Sequence, residues 1–175
     1  MNSFLLLTIF TISLYVIIGL VLFLIRKYIK PVKYELIFIV MSLLTVLLHY
    51  IEVIINLIRG VDFEFTSNLY LPVYPCNAIM WLNVIIIFFI FKKGKVFEVL
   101  ATVSLFIGTT CGIIGLSFNE NFLSNPVLSD IGILKGLLSH ATMIFCCLSL
   151  GVLGFVKIRV IRCTLYSLFG FVYFF

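Results

Sequence analysis

Few side chains in this sequence can move protons or act as nucleophiles, and their spacing groups them. His49, Glu52 and Asn56 follow one another at intervals of three and four residues, which sets all three on one helical face. Tyr74, Cys76, Asn77 and Asn83 fall close together, and Ser139 and His140 are adjacent. Imidazole and carboxylate groups are proton carriers, and a thiol becomes a nucleophile only where something holds its thiolate. The spacing contains no Cys-x-x-Cys and no His-Glu-x-x-His, so it offers little support for a metal site, and no cofactor is expected.

The elements that must carry these groups are set by composition. Hydrophobic residues make up 63% of the 175-residue chain and charged residues 11%, with a mean hydropathy of +1.30. An average soluble domain is roughly 25% charged, so this chain is read as a polytopic membrane protein in an all-α transmembrane bundle. The net charge of +5 does not make it a nucleic-acid binder, because its basic residues mark topology instead of forming a phosphate-binding face. The expected partners are membrane lipids.

A spanning helix needs about 20 apolar residues. Measured against that length, the chain predicts five full spans, over 4–25, 36–58, 71–91, 97–118 and 132–156, in one membrane domain. A sixth apolar run, 163–175, is too short to span, which predicts a truncated sixth helix from a fragment, a frameshift or a premature stop. The first span resembles a signal peptide only superficially. No basic residue precedes Phe4, and Arg26-Lys27 stands where a cleavage site would be.

Ten of the twelve basic residues fall in 26–33, 92–95 and 157–162, and only Arg59 and Lys135 lie on the other side. The positive-inside rule then puts the N-terminus outside a cell membrane and those three segments in the cytoplasm. The preference for Phe, Ile, Asn and Lys over Ala is that of an AT-rich bacterial genome.

With topology assigned, depth follows from 1.5 Å per residue. His49 lies roughly 13 Å and Glu52 roughly 9 Å below the outer end of the second span, Cys76 roughly 8 Å and Ser139-His140 roughly 12 Å below theirs. Three helices thus carry polar groups at similar depth in the outer half. These are expected to face one cavity, with His49, Glu52, Cys76 and His140 as its reactive groups and Tyr74, Asn77, Asn56 and Ser139 lining it.

Simpler readings stand beside this one. A His49–Glu52 pair also serves as a polar staple between helices. Cys111, Cys146, Cys147 and Cys163 read as small apolar packing residues. Gly108, Gly112 and Gly115, and likewise Gly132 and Gly136, read as faces for close helix packing. Pro72 and Pro75 bracket the entry to the third span, where they free backbone groups.

The segment Leu71-Pro72-Val73-Tyr74-Pro75-Cys76-Asn77 resembles the Pro-Leu-His-Leu-Cys-Asn/Ser signature of the YwaF-type bacterial integral membrane family. The glycine-rich fourth span, Asn125-Pro126 and Ser139-His140 fall in the same order as in that family, so the likeness covers roughly Leu36 to Val156. A eukaryotic relative is regarded as an acyltransferase acting on ether phospholipids through a cysteine of this signature. The resemblance therefore implies that Cys76 is an acyl-accepting nucleophile. The signature's histidine is Tyr74 here, so the base must be His140 or His49, or the chemistry is lost. In that reading an imidazole takes the thiol proton, Glu52 orients a ring, and Asn77 polarises the acyl carbonyl.

Two other classes remain open on the residues alone. One is the substrate-capturing membrane subunit of a small-molecule transporter, although the first span has only Gly19 where such subunits carry an alanine stripe. The other is a degenerate or purely structural membrane protein.

Overall fold

The computed structural model describes residues 3–60, 74–124 and 130–157, apart from the side chains of Ser3, Glu52, Glu120 and Asn121. The described residues are helices and short turns, without a strand. Helix α1 (Ser3–Tyr28) leads through a 3₁₀ turn (Pro31–Lys33) into α2 (Tyr34–Arg59). After α3 (Pro75–Phe89) come α4 (Lys95–Val103), a π turn (Ser104–Gly108) and α5 (Thr109–Ser117), which run on from one another. A short α6 (Glu120–Ser124) precedes α7 (Ile131–Val152).

Four stretches are long and apolar enough to cross a membrane: Phe4–Tyr28, Pro31–Ile51, Lys95–Ser124 and Ile131–Val152. Helix α3 is apolar but shorter, because Pro75 takes its first position after an extended Tyr74. Of the predicted third span, 71–73 lie outside the described residues, as does the whole 163–175 run. The fifth predicted span ends early. Gly154, at φ +80°, turns the chain in the left-handed region, and its N–H bonds back to Gly151.

Helix α7 is the central element, in contact with α1, α2, α3 and α5. Its Leu137, Ala141, Ile144 and Phe145 join Leu7, Leu22 and Leu116 in one apolar cluster, while Cys146 and Leu150 join Phe38, Ile86, Ile90 and Phe97 in a second. Helix α1, by contrast, leaves Phe4, Ile9, Ile12, Val16, Leu20 and Phe23 on the outside of the bundle. Such a surface has to meet lipid or other apolar matter.

The turns rich in basic residues meet at one end. Lys93 Nζ lies 2.7 Å from Glu35 Oε1 and 5.3 Å from the ring centre of Phe155, tying the starts of α2 and α4 to the end of α7. With the Lys93 side chain half exposed, such a pair adds about 0.2–1 kcal/mol. Its value here is geometric, since it fixes which helix ends are neighbours.

Close approach of α7 to the α4–α5 rod depends on glycine. A Cβ on Gly108 would lie 2.5 Å from Cys147 Sγ, and one on Gly112 would lie 2.5 Å from Ile144 Cγ1. The glycine face therefore packs as its spacing implies.

Candidate functional site

At the end of the bundle opposite the basic turns, α2, α3, α5 and α7 surround a cavity of about 530 Å³. Because Pro75 starts α3 late, Tyr74, Pro75, Cys76 and Asn77 form one wall at its first turn. Helix α7 supplies Gly132, Lys135, Gly136, Ser139 and His140, a single face at intervals of three and four residues. Asp130 starts that helix by accepting from the amides of Gly132 (2.8 Å) and Ile133 (3.4 Å). Helix α5 contributes Cys111, Ile114 and Gly115, with Asn119 just beyond it, and α2 contributes His49.

Cys76 is partly buried against Ile79, Ile107, Cys111, Met143 and Cys147. Its S–H donates to the Cys111 carbonyl at 3.7 Å, and among the described residues neither imidazole is hydrogen-bonded to it. His140 lies against Gly115, where a Cβ would come within 2.9 Å of both Cε1 and Nε2. His49 Nε2 is buried without a hydrogen-bond partner among the described residues, and the ring packs edge-on against Tyr50 at 4.9 Å. Below the main cavity, His49, Cys76, Asn77, Ser139 and His140 share a cleft of about 20 Å³ with Thr45, Met80 and Met143. That is the size of one water molecule.

The structure thus brings together His49, Tyr74, Cys76, Asn77, Ser139 and His140 from the expected set. Ser139 lines the wall while its hydroxyl donates to Gly136 O at 3.0 Å. Asn56 does not line this cavity. It lies two turns nearer the end of α2, where its carbonyl receives the Gly60 amide. The Glu52 side chain lies outside the described residues.

Asn83, grouped by sequence with Cys76 and Asn77, stands apart from the chamber. It shares a face with Cys76 but stands two turns deeper, under the cavity floor. There it accepts from Ser104 Oγ at 2.5 Å and donates to Cys147 Sγ at 3.7 Å. Cys147 and Cys146 are buried, as small apolar residues would be, but they also accept hydrogen bonds, Cys146 from Ser42 at 3.7 Å. Cys163 lies outside the described residues.

Sequence reasoning missed Cys111, Ile114, Gly115, Asn119, Gly132, Lys135 and Gly136 as wall residues. The signal for Lys135 and Gly136 was present, because both share a helical face with Ser139 and His140. Among the described residues no group of three or more His, Cys, Asp or Glu side chains is placed to hold a metal ion.

Two thiols, two imidazoles, two amides and an ammonium group bordering one partly apolar chamber can bind an amphipathic molecule. They can also pass a proton from the thiol across a single water to an imidazole. No family model matches the chain, and no curated protein or solved structure matches it.

Proposed function

We propose that the chain is a multi-pass membrane protein that transfers acyl groups between membrane phospholipids through Cys76. The observation that carries this reading is the convergence of Cys76, His49 and His140 on one chamber from three helices. The likeness of 71–77 to the YwaF-type signature supports it, and so does a wall that is apolar at Ile114 and polar at Asn77 and Lys135. In this reading five spans precede the 163–175 run, the N-terminus is outside a bacterial cell membrane, and the chamber opens toward the outer leaflet.

The step balances as a transesterification. An imidazole of His140 or His49, directly or through one water, takes the Cys76 proton, and the sulfur attacks the acyl carbonyl of a glycerolipid. The C–O bond to glycerol breaks, and the departing oxygen takes the proton back from the imidazolium. The products are S-acyl Cys76 and a lysophospholipid. Asn77 polarises the carbonyl as its oxygen gains charge. A hydroxyl of a second lipid then takes the acyl group by the reverse path and restores the thiol.

One observation favours a second reading. The Cys76 thiol is hydrogen-bonded to the Cys111 carbonyl and, among the described residues, to neither imidazole. A chamber that only captures a small ligand, as a transporter subunit does, needs nothing more. Incubating the purified protein in vesicles of diacyl phosphatidylcholine separates the two. Acyl transfer predicts lysophosphatidylcholine at up to one equivalent per protein, absent from Cys76→Ser and retained in Cys111→Ser. A binding module leaves the lipid intact in all three.

A further inference from the structure

The Cys76 chamber has two levels. Its floor is the small cleft bordered by Cys76, Asn77, Ser139 and His140. Lys135 and Asn119 line the chamber but not that cleft, so they belong to its upper part. Along α7, Lys135 precedes Ser139 by about 6 Å of helix, and side chains lean toward a helix's N-terminus. The ammonium group therefore stands toward the mouth of the chamber, about one turn above the reacting groups.

The upper part presents hydrogen-bond donors. Asn119 is oriented through its oxygen, since Oδ1 accepts from the Phe122 amide at 3.0 Å. That leaves Nδ2 against Gly136, where a Cβ would lie 3.4 Å from it. Gly136 follows Lys135 in the same turn of α7, so an amide NH₂ and an ammonium group border one space. Among the described residues Lys135 is the wall's charged side chain. The Asp130 carboxylate, at the start of α7, is outside the wall and accepts from the Gly132 and Ile133 amides. Donors joined to a positive charge suit an oxyanion, and a phosphate above all. The three protons of the ammonium let it hold a phosphate oxygen beside a partner within the protein.

We infer that Lys135 and Asn119 form a seat for the phosphodiester of a glycerophospholipid, and that filling it brings the acyl carbonyl to Cys76. The inference rests on the acyl-transfer reading and names the part of the donor lipid that the chamber recognises. The glycerol unit between a phosphate and the nearer ester carbonyl spans about one helical turn, which is the rise from the Ser139–His140 level to Lys135. The acyl chains leave sideways past Tyr74 and Ile114, which line the chamber and are 54% and 53% exposed. A neutral diacylglycerol offers the same ester and the same chains, but nothing to fill the seat.

Equilibrium binding to the full chain in a maltoside detergent tests this, with Cys76→Ser so that no acyl group is taken up. The probes are radiolabelled oleoyl lysophosphatidylglycerol and monooleoylglycerol, which share a chain and an ester and differ in the phosphate headgroup. One charge-assisted hydrogen bond should make the phosphate-bearing lipid bind about tenfold more tightly. Adding Lys135→Gln should abolish that preference, and adding Lys135→Arg should keep it. Equal binding of the two lipids with Lys135 in place, or an undiminished preference in Lys135→Gln, overturns the inference. So does inorganic phosphate that displaces the lysolipid as well as unlabelled lysolipid does, because the seat then serves a soluble anion. Acyl transfer is judged separately on the chain with Cys76 intact. A thioester formed equally from dioleoylglycerol and from diacyl phosphatidylcholine keeps the transfer and overturns the seat. Selective binding without any thioester supports the seat and overturns the transfer.

Discussion

Gly115 on α5 and His140 on α7 are in direct contact, so that even a methyl group on the glycine would lie 2.9 Å from the imidazole Nε2. The absence of a side chain at 115 is what lets the His140 ring stand in the chamber wall. Gly115→Ala must turn the ring or part the helices. A loss of about 1–3 kcal/mol is expected, read as a lower thermal midpoint in detergent. Gly19→Ala, which meets nothing within 4 Å, should show no such loss.

His49 presents the opposite case. Its buried Nε2 has no hydrogen-bond partner among the described residues, so stability gains nothing from that nitrogen there. His49→Phe is expected to leave the thermal midpoint unchanged or raise it, while slowing lysolipid formation by about 10²-fold, the lower range for loss of a general base. A variant that unfolds more easily yet reacts normally would mark His49 as a structural staple.

How much of this was readable beforehand differs between fold and site. Long apolar runs set the helices, because length and hydropathy decide there. The four stretches long and apolar enough to cross a membrane overlap four of the expected spans, though Pro31–Ile51 ends well short of the expected 36–58 and Lys95–Ser124 runs past the expected 97–118. Depth arithmetic also placed His49, Cys76 and His140 at one level. Asn56, expected in the wall, lies beyond the chamber along α2, and Asn83, grouped by sequence with Cys76, stands two turns deeper than that residue. The partners of Asn83 were hidden for another reason. Ser104 opens a π turn, and the wider turn breaks the 3.6-residue register on which facing is judged. Lys135 was read as a topology marker only, although it shares a face with His140.

The Asn83–Ser104–Cys147 cluster should hold α3, the π turn and α7 together. Ser104→Ala leaves Asn83 Oδ1 without its donor in a dry interior, and should cost about 1–3 kcal/mol. Combining it with Asn83→Leu should recover part of that loss, because no polar atom is then stranded. Strict additivity of the two losses in a thermal or denaturant titration would contradict a shared bond.

Orientation is tested at the end fixed by Lys93 and Glu35. A cysteine introduced at 94 should resist a membrane-impermeant thiol reagent in intact cells and react after permeabilisation, while one at position 3 reacts in both. Labelling at 94 from outside would reverse the topology and place the chamber in the inner leaflet.

The most direct test of the account is the chemical state of Cys76 itself. After incubation with diacyl phosphatidylcholine vesicles, the peptide containing Cys76 is predicted to carry one fatty-acyl mass that hydroxylamine removes, with Cys111 unmodified. His140→Ala should slow its appearance by about 10²–10⁴-fold if that ring is the base. A Cys76 peptide that stays free while the protein is folded and surrounded by lipid would contradict acyl transfer, and would leave ligand capture as the work of this chamber.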